Sequence, residues 1–355
     1  MYSVVKFAIA LVLTAAIFNF MLFRLALKSF RGLRTVELND LKHLNLIIGG
    51  NNVGKTSILE ALVLLYGNHT ELSRLPTLFR WGTGRDDVRG NFWPLLARDR
   101  SFEGFLLESA DAKVIAQRDP VSDDGWLLWR SHPSTKQSQP VPILRLDCDE
   151  KGCLLAAIDD VSQSLAIITA DFPNPATTTG RYRKLLDKHP VRCRQLLEIL
   201  QAALEPRTKA LRLLPSASPD CAENLIIEMD SGSALPLSQM GQGFTRCFHL
   251  LCEILLGESR IVLIDEIESG LYHASLQPLW SGLLPLLKSL DVQVFATTHS
   301  LECMQAAARA DRSTESDAVS FIRLDRHIQN AEHIHAVVFS ADTLQAAADF
   351  GEEMR

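Results

Sequence analysis

Alternating apolar and polar positions mark the first part of this chain as strand-forming. Within Leu22–Phe30, apolar Phe23, Leu25 and Leu27 alternate with Arg24, Ala26 and Lys28, and this period of two predicts a β-strand. Two shorter strand-like segments, Thr35–Leu38 and Leu44–Ile48, follow it. They predict two further strands that lead into a glycine-rich loop.

A different pattern follows that loop. Ser57–Tyr66 is apolar on nearly every face, which is typical of a helix buried against a sheet. Residues 91–170 contain short apolar runs that predict more strands. Arg181–Leu204 has the i, i+3, i+4 apolar spacing of a helix around Pro190. These patterns predict an α/β fold with a β-rich N-terminal sheet and an inserted helical lobe at about residues 170–225.

Composition narrows the function classes only slightly. A net charge of -6 argues against a surface coated in basic residues for nucleic acid, although a local basic groove stays open. The seven cysteines are odd in number and include no C-x-x-C pair. Cys148 and Cys153 could form half of a zinc site, but no second pair at ligand spacing follows. We therefore expect a reduced cytosolic protein.

The loop Gly49–Thr56 carries the first chemical signal. Its sequence, GGNNVGKT, matches G-x-x-x-x-G-K-[ST] between an apolar run and a helix pattern. Glycines let the backbone N–H groups point at a phosphate, and the helix N-terminus adds positive potential. Lys55 is expected to reach the β- and γ-phosphates of ATP, and the Thr56 hydroxyl to ligate Mg²⁺. The predicted nucleotide-binding residues are Gly49, Gly50, Asn51, Asn52, Val53, Gly54, Lys55, Thr56 and Ser57.

An acidic strand end gives the second signal. Arg260–Glu266 reads RIVLIDE, an apolar run followed by two carboxylates. In α/β sheets ligands bind beyond the carboxyl ends of such strands. Asp265 is predicted to hold Mg²⁺, and Glu266 to polarise the water that attacks the γ-phosphate. Glu268 is either a third carboxylate of the site or a surface residue.

Two further segments have the polar residues of a nucleotide site. Val292–Thr298 predicts a strand that ends at His299, which could sense the γ-phosphate or order the attacking water. The segment Leu237–Arg246, here called the signature segment, reads LSQMGQGFTR before an apolar helix. Gly241 and Gly243 could bind a second phosphate group at the start of that helix.

In this order, the motifs resemble those of the ABC/SMC-like ATPases. The sequences of the motifs are most similar to those of the compact bacterial branch related to the OLD (overcoming lysogenisation defect) and RecF-like proteins. The segments that carry the resemblance are SFRGL, GGNNVGKTSILEAL, QMGQGFTR, IVLIDEIESGLYH and FATTHS. It covers Leu22 to about Glu302, and the tail to Arg355 more loosely.

The resemblance implies a head-to-tail homodimer that encloses two ATP molecules. Ser238, Gly241 and Gly243 would contact the γ-phosphate held by Lys55 of the partner subunit. Arg31 matches a family arginine near the phosphates, and residues 268–273 would cross the dimer seam. Two departures stand out: Ser238 is followed by Gln-Met-Gly instead of Gly-Gly, and Gln117 and Gln163 are only candidates for the family's γ-phosphate-sensing glutamine.

Spacing separates this chain from the larger members of the family. Long a/d heptads are lacking between the loop and the signature segment, so a long-armed SMC protein is not expected. The tail after His299 is too short for the TOPRIM nuclease domain that full OLD proteins append. We therefore expect an ATPase module at residues 22–355 whose output lies in another protein.

An apolar run, Phe7–Phe23, precedes the first predicted strand. Its length of about 17 residues is at the lower limit for a membrane-spanning helix, and the basic residues after it would keep the protein body in the cytoplasm. Alternatively, translation begins at Met21 and the first residues are an extension. A cleaved signal peptide would separate an ATPase from its ATP. We treat residues 1–21 as a separate segment, either extension or anchor.

Three functions follow from this reading. The first is an ATP-gated dimeric switch that regulates a separate effector, for example in bacterial phage defence. The second is a RecF-like repair ATPase that binds DNA. The third is a membrane-anchored ATPase of transporter type. The second would use basic residues around Arg80–Arg100 and Arg181–Arg194, including Arg181, Arg183, Lys184, Lys188, Arg192 and Arg194.

Overall fold

A computed structural model describes residues 21–75, 104–118, 126–131, 140–149, 152–157, 165–169, 174–216, 223–327 and 330–344. The described part combines two large sheets, one small sheet and helices. The predicted α/β class is confirmed.

The first large sheet is antiparallel and has the strand order β2-β1-β4-β5-β6-β7-β8. It supplies the β-rich region that the apolar runs predict. Its strands are β1 (Leu25–Phe30), β2 (Leu33–Leu38), β4 (Phe105–Ser109), β5 (Lys113–Arg118), β6 (Trp126–Ser131), β7 (Val141–Asp149) and β8 (Gly152–Ala157).

The second large sheet has the order β16-β15-β3-β14-β13-β9 and is parallel except for β16. Its inner strands are buried on both faces, as expected when both faces of a sheet are covered. The strands are β3 (Leu44–Gly49), β9 (Leu165–Ile168), β13 (Ile261–Ile264), β14 (Gln293–Thr297), β15 (Val319–His327) and β16 (Asn330–Ser340).

Helix α1 (Lys55–Tyr66) lies between the two large sheets and contacts β1, β4 and β5 on one side and β3 and β14 on the other. All of its residues except Thr56 are buried, which explains the apolar pattern on nearly every face. Arg130 of β6 fixes its far end, because the buried guanidinium donates to the carbonyls of Leu64 (2.7 Å and 3.1 Å) and Gly67 (2.9 Å). A cation at a helix C-terminus also complements the helix dipole.

The other face of the parallel sheet carries most of the remaining helices, around the larger hydrophobic core. The predicted helix at residues 181–204 is two helices, because Pro190 begins a new one. The small sheet consists of β10 (Thr208–Pro215), β11 (Glu223–Met229) and β12 (Ala234–Pro236). The helices are α2 (His69–Arg74), α3 (Pro175–Lys188), α4 (Pro190–Ala203), α5 (Gln242–Leu256), α6 (His273–Leu290) and α7 (Leu301–Ser313).

The strand predicted from Leu22 begins at Leu25. Leu22 itself is buried in the core, where the Gln293 side chain accepts from its N–H (3.0 Å) and donates to its carbonyl (2.9 Å). The rest of the apolar run at residues 7–23, up to residue 20, lies outside the described residues. Within the described ranges, none of the helices is both long and apolar enough to span a bilayer.

Candidate nucleotide site

The glycine loop joins the carboxyl end of β3 to helix α1. Gly49 has φ 138°, and a Cβ there would lie 2.4 Å from the carbonyl oxygen of Leu324. Gly54 has φ 90°, and a Cβ there would lie 2.8 Å from a methyl group of Leu33. Both glycines are therefore required by backbone conformation and by space. The loop ends at the N-terminus of α1, where the first N–H groups of a helix have no partner within it.

Lys55 is folded back onto the loop. Its Nζ donates to the carbonyl oxygens of Gly49 (2.9 Å) and Gly50 (2.7 Å). Burial lowers the pKa of Lys55, whereas Asp265, Glu268 and Glu266 act in the opposite direction. The acidic strand end predicted from the sequence therefore lies within electrostatic range of the loop lysine.

Asp265 follows β13 and is held by the neighbouring strand. Thr297 of β14 donates its hydroxyl to Asp265 Oδ1 (2.6 Å), and the same hydroxyl accepts from the N–H of Glu266 (2.8 Å). Burial raises the pKa of Asp265; the Thr297 hydrogen bond, Arg246, Lys55 and His299 oppose that shift. Thr297 thus orients the Asp265 carboxylate and holds the backbone of Glu266. Its role had no signal in the sequence beyond its place at a strand end.

Glu266 has φ 49°, a left-handed conformation that is uncommon for a residue other than glycine. Arg246 of α5 stabilises the turn that contains it. The buried guanidinium donates to the carbonyl oxygens of Glu266 (2.7 Å), Ser269 (3.3 Å) and Asp265. We call residues 265–269 the catalytic turn, after the role predicted for Glu266. In the sequence Arg246 belongs to the signature segment, and no pattern there predicts its role.

Glu268 connects the catalytic turn to the segment after β14. Its Oε1 accepts a hydrogen bond from the backbone N–H of His299 (2.8 Å). Glu268 is partly buried, and its role as a third carboxylate of the site stays a prediction. The His299 side chain is exposed, and its charge acts on Asp265. His299 and Asp265 thus lie near each other at the edge of the sheet.

The signature segment lies at the start of α5. Ser238 is exposed in a 3₁₀ turn, Leu237–Gln239, and Gly241 is the exposed N-cap residue of α5. Gly243 differs from both, because a Cβ there would lie 2.0 Å from the carbonyl oxygen of Gly270. Close packing within the chain therefore explains Gly243. Its contact with a partner's nucleotide remains a prediction, as do the contacts of Ser238 and Gly241.

Arg31 lies between β1 and β2, with φ 53°. Its Nη1 is 2.9 Å from Oε2 of Glu60, which is fully buried in α1. The hairpin packs against the glycine loop, because Leu33 of β2 is the neighbour that excludes a side chain at Gly54. Arg31 therefore belongs to a hairpin that contacts the loop, and its contact with the nucleotide phosphates, which the resemblance implies, stays a prediction. Its carboxylate partner was not predicted.

The basic residues that could have lined a DNA groove are mostly engaged within the chain. Glu258 accepts from Lys184 (2.5 Å) and Lys188 (2.8 Å), and Arg181 pairs with Glu253 (2.7 Å). Arg183 pairs with Glu223, and Arg192 donates to the carbonyl of Leu255 (2.7 Å). The Arg80–Arg100 region lies outside the described residues. These pairs reduce the positive potential that α3 and α4 present to a polyanion.

The donor set at the loop fits Mg²⁺. Thr56 is the partly exposed residue of α1, and Asp265 is partly buried across from Lys55. Hydroxyl and carboxylate oxygens are the ligands that Mg²⁺ prefers, and the ion commonly takes one or two from the protein and others from phosphates and water.

Comparison with known proteins agrees with this geometry. A family profile described as "AAA ATPase domain" matches residues 21–120, which contain the glycine loop. A second, described as "AAA domain, putative AbiEii toxin, Type IV TA system", matches residues 174–304, which contain the signature segment, the acidic pair and His299.

Individual relatives are distant. A Helicobacter pylori protein described as an ATP/GTP phosphatase is 20% identical over 331 residues, covering 79% of this chain and 85% of that protein. An uncharacterised protein of Methanocaldococcus jannaschii is 53% identical over 38 residues, covering 11% of this chain and 17% of that one.

Two solved SMC heads are similar in structure. One is an Smc head bound to the C-terminal winged-helix domain of ScpA, with 14% identity, coverage of 92% and 99% and a TM-score of 0.49. The other is the SMC head domain from Thermotoga maritima, with 12% identity, coverage of 90% and 99% and a TM-score of 0.43. The two AAA profiles match the segments that contain the glycine loop and the acidic pair, and together with the geometry of the loop they show that the chain is a P-loop ATPase.

Proposed function

We propose that this ATPase works as an ATP-gated dimeric switch in the cytoplasm and regulates a separate effector protein. The observation that carries the proposal is the set of hydrogen bonds from Arg246 to the catalytic turn, here called the Arg246 clamp. It joins the helix that begins at the exposed Gly241 directly to the turn that holds Glu266. A contact made at the start of α5 by a second subunit would thus be transmitted to the catalytic turn.

The proposed chemistry uses the residues at the carboxyl ends of β3, β13 and β14. Lys55 would leave the carbonyls of Gly49 and Gly50 for the β- and γ-phosphates, with the loop N–H groups beside it. Thr56 and Asp265 would hold Mg²⁺, which neutralises phosphate charge when bound.

Hydrolysis then needs a positioned water. Glu266 would accept its proton while the water oxygen bonds to the γ-phosphorus and the bond to the ADP oxygen breaks. His299 would orient that water or the γ-phosphate. ATP binding by two subunits would close the dimer, and loss of phosphate would reopen it.

A complementation experiment tests the composite site. Lys55→Ala removes the loop lysine, and Gly241→Asp places a carboxylate in the open space at the start of α5. Each variant alone is expected to be inactive. Mixed in equal amounts, they form heterodimers in which one of the two sites has both an intact loop and an intact signature segment. The mixture should therefore regain ATPase activity, about a quarter of the parent's at random pairing if the two sites act independently. A mixture as inactive as its components would contradict the dimeric site.

The most specific parts of the proposal are the separate effector protein and the role in bacterial phage defence. The profile over residues 174–304 is described as a putative toxin of a type IV toxin–antitoxin system, which supports action together with a second protein. The RecF-like alternative has weaker support, because Glu258, Glu253 and Glu223 neutralise basic residues of α3. Stimulation of ATP turnover by DNA, with a steep salt dependence, would reverse this order.

A further inference from the structure

Glu60 is a buried carboxylate with a place in the nucleotide site that the sequence does not indicate. It lies one turn after Thr56 on α1 and is fully buried between the two sheets. Residues four apart on a helix share a face, so Glu60 lies directly behind the Mg²⁺ ligand. Burial raises the pKa of Glu60 well above its usual value, and the charge of Asp265 adds to that effect.

Arg31 brings a positive charge to this carboxylate. The distance between Arg31 Nη1 and Glu60 Oε2 is 2.9 Å, and the Arg31 side chain is only 13% exposed. Its Nε and Nη2 are buried and have no hydrogen-bond partner among the described residues. A guanidinium presents its donors as a planar fork, so a contact at one nitrogen fixes the direction of the others.

The neighbouring contacts place that fork beside the glycine loop. Leu33, two residues after Arg31, packs against Gly54, and Gly54 begins the helix that carries Glu60. Arg31 therefore has a fixed anchor on one side and two unused donors next to the phosphate-binding backbone. Buried donors of a charged group are costly without a partner, and a phosphate would satisfy them.

We propose that Glu60 is a positioning residue that holds Arg31 so that its free donors meet the nucleotide's phosphates. The Nη1 contact with Glu60 is kept when ATP binds, and Nε and Nη2 donate to phosphate oxygens. This inference rests on the proposed nucleotide site. It gives a role to a carboxylate that lies outside both the loop and the acidic strand end: Glu60 orients the Arg31 guanidinium.

Glu60→Gln tests the proposal because it keeps the shape and replaces the carboxylate with an amide. The dissociation constant of Mg-ATP, measured by titration calorimetry, should rise about tenfold, the value of one charge-assisted hydrogen bond. Arg31→Ala should give a similar loss, and the double variant should bind ATP no more weakly than Arg31→Ala alone. Independent, additive losses would overturn the proposal, and so would unchanged ATP affinity in folded Glu60→Gln.

Glu253→Gln is the matched control for loss of a buried carboxylate. Glu253 is buried and pairs with Arg181 at 2.7 Å, away from the loop. This variant should lower the thermal midpoint without changing the affinity for ATP. An equal loss of ATP affinity in Glu253→Gln would assign the Glu60 effect to general destabilisation and contradict a positioning role.

Two further variants distinguish failure of the proposed Glu60 role from misfolding of Glu60→Gln and from failure of the nucleotide site. If Glu60→Gln does not fold, Arg31→Lys keeps a charge against Glu60 but loses the planar fork, and it should still weaken ATP binding. Unchanged affinity in Arg31→Lys would contradict the proposal. Lys55→Ala tests the nucleotide site itself: if it binds ATP like the parent, the site is wrong, whereas a loss there with normal binding in Glu60→Gln rejects only the role of Glu60.

Discussion

Replacing Arg246 with alanine separates the catalytic turn from the helix of the signature segment. The guanidinium donates to the carbonyls of Glu266 and Ser269 at 2.7 Å and 3.3 Å and also to that of Asp265. Losing these charge-assisted bonds should lower the free energy of unfolding by about 3 kcal/mol. Water can reach part of the turn, which keeps the loss below the sum of three buried bonds.

The effect on turnover should be larger than the effect on ATP binding. Glu266 depends on the clamp for its left-handed backbone, and a shift of about 1 Å in a catalytic group can reduce the rate about 100-fold. The glycine loop and Lys55 make no contact with Arg246 that binding would lose. We therefore expect kcat to fall about 100-fold while the dissociation constant of ATP changes less than about threefold.

Phosphate release at saturating ATP gives kcat, and calorimetric titration gives the dissociation constant of ATP. Arg246→Lys should resemble Arg246→Ala, since a single ammonium cannot reach three carbonyls as a planar fork does. Arg260→Ala is the control, because Arg260 precedes the same strand, β13, but pairs with Asp291 (2.8 Å) at the end opposite the catalytic turn. A folded Arg246→Ala variant with parental kcat, or one that loses ATP binding in parallel, would refute the clamp.

Two other predictions concern the signature segment and the buried histidine of α5. Gly243→Ala should destabilise the subunit by about 1–3 kcal/mol in denaturant unfolding, because its Cβ would meet the Gly270 carbonyl at 2.0 Å. Gly241→Ala has open space around it, so it should unfold like the parent yet dimerise less with ATP; equal stability losses in both variants would contradict this distinction. Burial and the charge of Arg181 lower the pKa of His249 to about 4, although Glu253 Oε1 is 3.8 Å from its Nε2 and Thr178 contacts its Nδ1. The unfolded chain then binds the extra proton first, so stability should be full above about pH 6.5 and fall as the pH drops toward 4, by up to about 3 kcal/mol. His249→Gln should remove this part of the slope in thermal unfolding, and an unchanged slope would show that other groups cause it.

The residues that could be predicted from sequence are those whose chemistry forces a local pattern. The glycine loop needs small residues at Gly49 and Gly54 for backbone reasons, and the buried strand before Asp265 needs apolar residues on both faces. Such requirements recur within a few positions and leave a recognisable spacing. The α/β class and the order of the motifs followed from them.

The supporting contacts could not be predicted in the same way. Arg246 and Arg130 donate to backbone carbonyls that lie 19 to 23 and 63 to 66 residues away, and any sequence can supply a carbonyl. In the sequence Glu60 is one more residue of a predicted helix, and its ion pair with Arg31 is visible only in the structure. At Gly243 the structure adds a second reason for glycine, because packing on Gly270 leaves no room for a side chain; the phosphate contact stays a prediction.

The central claim is that ATP joins two subunits through a composite site and that Glu266 carries out hydrolysis. Sedimentation velocity of Glu266→Gln with Mg-ATP tests both parts, with Mg-ADP as the matched control. We expect a stable dimer with ATP, a monomer with ADP, and no measurable phosphate release. A Glu266→Gln protein that stays monomeric with saturating ATP, or that hydrolyses ATP at the parental rate, would contradict it.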